Sequence, residues 1–143
     1  MTEPCVSRRR LLLVSDDVAS SEALRAHLAR HGFLICEASS ARMAAVAATE
    51  IAPDVVLVDA AVRCGWQAVV RSLDGLIDRD RVVVLAAYWS TDARRSAEEA
   101  GIGGILLKQL EGDALAERLR AVGDGENHRS HPAPGPVVSG GIR

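Results

Sequence analysis

The sequence predicts an α/β fold built on a five-stranded parallel sheet. Three observations carry that expectation. Five short apolar runs recur along 143 residues: Leu11–Val14, Phe33–Cys36, Val55–Val58, Val82–Leu85 and Ile105–Leu107. Each is rich in branched side chains and too brief for a helix, so length decides for strand. The segments between them carry helical spacing, and runs apolar on both faces suit a parallel sheet covered on both sides. The length is that of about one domain.

The elements follow in order. "RRRLLLVSDD" brings Arg8, Arg9 and Arg10 to the mouth of the first strand, a solvated cluster rather than a nucleic-acid surface. "SSEALRAHLARHG" sets Leu24 and Leu28 one helical turn apart and closes on Gly32, which suits the position just past a helix end. "SSARMAAVAATEIAP" offers serines to cap free N–H groups and stops before Pro53. "WQAVVRSL" follows the third run. "STDARRSAEEAG" has only alanines on its apolar side, which predicts a weakly anchored helix. "GDALAERLRAVG" places Leu115, Leu119 and Val122 on one face.

After Gly123 the chain turns to Gly, Pro and polar residues without periodicity. The expected division is therefore an N-terminal tail over 1–8, one domain over 9–123 and a disordered tail over 124–143. His128 and His131 fall in that tail, where two ligands alone do not make a metal site.

Composition narrows the function. An apolar fraction of 48% and a formal charge of −2 describe an ordinary globular protein, with no broad positive field for direct nucleic-acid binding. Cys5, Cys36 and Cys64 are odd in number and without metal-type spacing, which suits a reducing cytoplasm. The first apolar run is too short for a signal peptide or a membrane span. Trp66 and Trp89 read as core or edge residues, since no basic groove accompanies them. Tyr88 reads as a half-exposed aromatic.

The strand ends carry the chemistry. "PDVVLVDA" delivers Asp59 to the last position of the third strand, and parallel sheets bind and react at that rim. The first run ends on Ser15, Asp16 and Asp17, the fourth on Ala86 and Ala87, and the fifth on Lys108. Hard oxygen ligands from Asp16 and Asp59 suit Mg²⁺, which prefers one or two carboxylates plus a phosphate. Asp59 would be the nucleophile, forming an acyl phosphate, while Lys108 neutralises the added charge. Transfer of this kind rests on positioning and electrostatics. The blander readings are a structural Asp59–Lys108 ion pair and, for Asp16 and Asp17, capping of the first helix; capping is the favoured reading for Asp17.

Three stretches, "LLLVSDDVASSEALRAHLARHGF", "PDVVLVDA" and "AGIGGILLK", in this order and with Asp16, Asp59 and Lys108 at these separations, make the chain resemble the receiver domain of bacterial two-component response regulators. The resemblance covers roughly residues 9 to 123. It implies the flavodoxin-like receiver fold, five strands doubly wound by about five helices. It implies Asp59 as the phosphorylated residue and Asp16 as a direct Mg²⁺ ligand, with the carbonyl of Ala61 completing the protein's share of the metal shell. Ala87 matches the small residue that leaves the phosphoryl pocket open.

The chain also departs from that pattern. Ser15 stands at the first of two usual acids and becomes an outer-sphere candidate that could hold a metal-bound water. The switch hydroxyl is Ala86, the switch aromatic is Ile105, the proline after the lysine is Gln109, and the Met-Pro turn has become "AAVRCGW". A hydrogen bond to a charged group contributes about 1.5–3 kcal/mol, and allosteric coupling is about 1–3 kcal/mol in total. Loss of the hydroxyl thus removes a term as large as the whole usual coupling. The lysine contact offsets part of it, since a near-surface pair at about 4 Å has on the order of 4 kcal/mol of gross Coulomb energy. Phosphoryl acceptance is expected to survive, and the standard conformational readout is not.

The leading expectation is a stand-alone receiver, phosphorylated by a histidine kinase or phosphotransfer protein and signalling to a downstream protein through its fourth and fifth helices. The alternative is a degenerate receiver that binds partners independently of phosphate, as some antiterminator regulators do. An enzyme is not expected. A phosphatase of the haloacid-dehalogenase type needs an acid two residues after the nucleophile, where Ala61 stands, and nothing resembles a P-loop, a nucleophile elbow or a zinc motif.

Overall fold

The computed structural model describes residues 9–108 and 112–123. The tails expected over 1–8 and 124–143, with Cys5, His128 and His131, lie outside the described residues, as does Gln109.

Eleven elements alternate along the described chain. The strands are β1 (Arg9–Val14), β2 (Phe33–Ala38), β3 (Val55–Asp59), β4 (Val82–Ala86) and β5 (Gly104–Leu107). The helices are α1 (Val18–Arg30), α2 (Ala41–Ile51), α3 (Trp66–Ser72), α4 (Thr91–Ala100) and α5 (Gly112–Gly123). A short 3₁₀ turn at Arg79–Arg81 leads into β4 and has no counterpart in the sequence reading. All strand pairs are parallel, in the order β2-β1-β3-β4-β5. That order reverses between β1 and β3, which opens a crevice at their carboxyl ends.

Alternation along each strand splits the core into two layers. Leu12, Val14, Val56, Val58, Val82 and Val84 face α2, α3 and α4. Leu11, Leu13, Val55, Leu57, Val83 and Leu85 face α1 and α5. Both faces are therefore dry, which explains why these strands read as continuous apolar runs. Trp66 is buried in the first layer, as expected of a core residue, and Trp89 packs at that layer's edge.

The helix ends follow local chemistry. Ser40 accepts the Met43 N–H at 3.2 Å and caps α2, as the serines before it suggest. Ser90 does the same for α4 through the Ala93 N–H at 3.0 Å. The chain leaves α1 through Gly32 at φ +92°, a conformation that glycine adopts without penalty. The weakness expected of the fourth helix is present: Ala97 alone of α4 is buried. Leu115, Leu119 and Val122 of α5 are all buried, as their spacing predicts.

Candidate functional site

The carboxyl ends of β1, β3 and β5 bring the polar residues together. Asp59 closes β3 with a side chain only 7% exposed. A buried carboxylate is costly unless it receives hydrogen bonds or a counter-charge, and Asp59 receives both. Its Oδ1 accepts the Ala61 N–H at 2.9 Å and lies 3.2 Å from the Lys108 ammonium. Its Oδ2 accepts the Ser15 hydroxyl at 3.2 Å.

Lys108 reaches this carboxylate from two strands away. Adjacent strands lie about 4.8 Å apart, so the side chain spans the end of β4. The spanned strand ends in Ala86 and is followed by Ala87, whose methyl groups leave room for that crossing. The Lys108 N–H donates to the Ala86 carbonyl at 2.8 Å, which continues the β4–β5 ladder and fixes where the side chain starts. About a third of the Lys108 side chain remains exposed (35%).

Ser15, Asp16 and Asp17 follow β1 and do three different things. Ser15 is buried, and its N–H donates to the Ala38 carbonyl at 3.0 Å. Its Oγ donates to Asp59 and accepts the Asp17 N–H at 3.2 Å. The hydroxyl that is a candidate for holding a metal-bound water donates its proton to the Asp59 carboxylate. Asp16 is exposed, and its Oδ2 accepts the Arg63 N–H at 2.9 Å, tying the loop after β1 to the loop after β3. Arg63 was not singled out from sequence, because a backbone N–H carries no residue signature. Asp17 caps α1, the favoured reading: its carboxylate accepts the Ser20 hydroxyl at 2.9 Å. The Ser20 hydroxyl, then the Ser20 N–H, hold the Asp17 carboxyl below its ordinary pKa.

The turn "AAVRCGW" has its own hydrogen bonds. Val62 N–H returns to the Asp59 carbonyl at 3.0 Å and Gly65 N–H to the Val62 carbonyl at 2.9 Å. Gly65 takes φ +87°, so the rewritten turn still delivers α3. Ala86 is buried and Ile105 half-buried at the two switch positions, with no hydroxyl at one and no ring at the other. Tyr88 is largely exposed beside the rim.

The donor set suits a hard divalent cation. Asp16 Oδ1 receives no hydrogen bond from the described residues, and Asp59 Oδ2 receives one where a carboxylate oxygen can take two. The free lone pairs that remain on Asp16 and Asp59 are therefore carboxylate oxygen.

No family model matches the chain, and no curated protein matches it. Solved structures do. One is the signal receiver domain of the response regulator NarL from Mycobacterium tuberculosis, at a TM-score of 0.75 and 19% identity over 84% of this chain and 99% of that one. The fold is that of response-regulator receiver domains. A second receiver structure belongs to a sensor histidine kinase of Pseudomonas aeruginosa, with a TM-score of 0.72 and 19% identity over 82% of this chain and 99% of that one. It carries a magnesium ion coordinated in its active-site cleft. A third is the BeF3-activated N-terminal receiver domain of RstA from Klebsiella pneumoniae, at 0.71 and 22% over 80% and 98% of the two chains. The receiver fold expected from sequence is thus present, with its strand order and both helical layers. Among the described residues no helix is long and apolar enough to cross a membrane.

Proposed function

We propose that this receiver-fold chain accepts a phosphoryl group on Asp59 from a histidine kinase or phosphotransfer protein and signals through contacts with a downstream protein. The observation that carries this reading is the contact between Lys108 and a buried, strand-ending Asp59, with Ser15 and Asp16 on the same rim. Domain limits of 9–123 and a cytoplasmic setting belong to the same proposal.

The chemistry follows from the lone pairs. Asp59 Oδ1 already has two donors, so Oδ2, with one, is the oxygen free to attack phosphorus. A P–O bond forms, the P–N bond of a phosphohistidine breaks, and its electron pair leaves with the imidazole. Lys108 faces the resulting dianion and offsets its charge. Asp16, the Ala61 carbonyl and Asp59 would hold Mg²⁺, Asp59 through the Oδ1 lone pair that Lys108 vacates as it turns to the phosphoryl oxygens; when bound, the ion would neutralise those oxygens and let two anions approach. Ala87 would leave space for the phosphoryl group.

The test is mass spectrometry after incubation with acetyl phosphate and Mg²⁺. The wild type gains the mass of one phosphoryl group in the peptide holding Asp59, and Asp59→Asn does not. Labelling that persists in Asp59→Asn defeats the assignment.

A second reading is supported by Ala86, buried where a switch hydroxyl is expected, and by Ser15, whose hydroxyl takes the place of an acid beside Asp59. On that reading the domain binds its partner without phosphate. Absence of Mg²⁺ binding near millimolar concentration, with partner binding indifferent to phosphoryl mimics, would favour it.

A further inference from the structure

Away from the rim, the stretch "HLARH" places His27 in the last turn of α1 and His31 at its C-cap, four residues on. Residues four apart share a helix face, and the two ring centroids lie 4.7 Å apart with the planes tilted by 37°. Asp113, in the first turn of α5, meets them: its Oδ1 is 2.8 Å from His31 Nε2. One ligand atom from each of the three residues lies within 4.8 Å of the others.

The hydrogen bonds decide what this cluster asks for. His31 Nδ1 lies 3.0 Å from the His27 carbonyl, which can only accept, so Nδ1 carries a proton. In the neutral ring Nε2 then presents a bare lone pair to a carboxylate oxygen 2.8 Å away. Two facing lone pairs repel unless a cation stands between them. A proton meets that need, as in a histidinium–carboxylate ion pair. A metal ion meets it as well. A carbonyl holding the far N–H is the arrangement that orients a ligating histidine. Independently, His27 Nε2 is buried and has no hydrogen-bond partner among the described residues.

We infer that His27, His31 and Asp113 form a second metal site, separate from the rim, for a transition-metal dication of the zinc class. Two borderline imidazoles with one carboxylate oxygen form a ligand set that suits zinc, with water in the fourth position. Zinc at about 2.0–2.2 Å from each ligand needs those atoms within about 4 Å of one another. Asp113 is 89% exposed, so its side chain can turn to close the difference. The Arg30 guanidinium lies 3.5 Å from His27 Nδ1 and can only donate, so ligation through Nε2 requires the ring proton to move to Nδ1 and Arg30 to turn away; Arg120 is the other cation facing the cluster, and neither fills it. Occupied, the site would join α1 to the first turn of α5, five residues beyond Lys108.

The test uses the full chain with Co²⁺ and Zn²⁺ alone, in excess Mg²⁺ to keep the rim out of play. One equivalent of Co²⁺ should give a visible absorption band that Zn²⁺ abolishes. His27→Gln and His31→Gln should each weaken binding at least about tenfold, and Asp113→Asn several-fold, with circular dichroism showing that each variant is folded. The double variant His128→Gln, His131→Gln should bind as the wild type does. Binding that survives His27→Gln and His31→Gln, binding lost in the double variant, or no saturable binding in the micromolar range overturns the proposal. Should either histidine variant fail to fold, zinc-induced shifts of the His27 and His31 ring protons in the wild-type NMR spectrum decide the matter, and their absence overturns it equally.

Discussion

The Lys108 ammonium lies 3.2 Å from Oδ1 of Asp59, across the end of a strand to which neither residue belongs. The pair is asymmetric: the carboxylate is almost wholly enclosed, while a third of the lysine side chain meets water. Removing one partner is therefore unlike removing the other.

Lys108→Met leaves a buried carboxylate without its counter-charge and should cost about 1–3 kcal/mol of stability. Asp59→Asn leaves an ammonium that water can solvate and should change stability by less than about 1 kcal/mol. Urea denaturation of both variants checks the order. Equal costs would mean that Asp59 does not depend on the lysine.

Ser15 is the position where the rim lacks an acid. Ser15→Asp removes the hydroxyl bond to Asp59 and adds a like charge beside it, so the metal-free protein should lose stability. The same substitution should tighten Mg²⁺ binding by at least about tenfold, since that needs only about 1.4 kcal/mol. Calorimetric titration with Mg²⁺, beside denaturation with and without the ion, reads both effects. Unchanged affinity would place the bound ion away from Ser15.

Helix α4 buries one alanine and is otherwise tied at its end by the Arg79 guanidinium on the Ala100 carbonyl, whereas every residue of β3 is buried. Local opening follows packing, so α4 amides should exchange with solvent at least about a hundredfold faster than those of β3. Hydrogen-exchange mass spectrometry measures the ratio. Comparable protection would show that α4 is anchored by something other than its apolar side.

Asp17 gives the fold a dependence on acid. Its carboxyl titrates below the ordinary value because Ser20 donates to the charged form through hydroxyl and N–H. A depressed pKa contributes stability that is complete above the unfolded value of about 3.9 and is lost as pH falls through the folded one. Ser20→Ala should thus destabilise the metal-free protein at neutral pH, and the gap to wild type should close as pH falls below about 4. Thermal melts across that range test the sign; a gap that widens in acid contradicts it.

What the sequence alone determined is local. Five branched apolar runs became the five strands; the runs in β1, β3 and β4 are covered on both faces, while the edge strands β2 and β5 expose Leu34 and Leu107. Serine caps, Gly32 and the Leu115–Leu119–Val122 spacing marked helix ends and faces for the same reason: their signals span a few residues. That Asp59 ends its strand was also legible. What only the tertiary structure decided is who meets whom. The Ser15 hydroxyl on Asp59, the Arg63 N–H on Asp16 and the reach of Lys108 over β4 depend on strand order and on where each crossover lands. His27 and His31 stand four residues apart in a stretch read only for its leucines and Gly32, and Asp113 lies 82 residues from His31. No periodicity extends that far, and packing α1 and α5 against one sheet face brings them together.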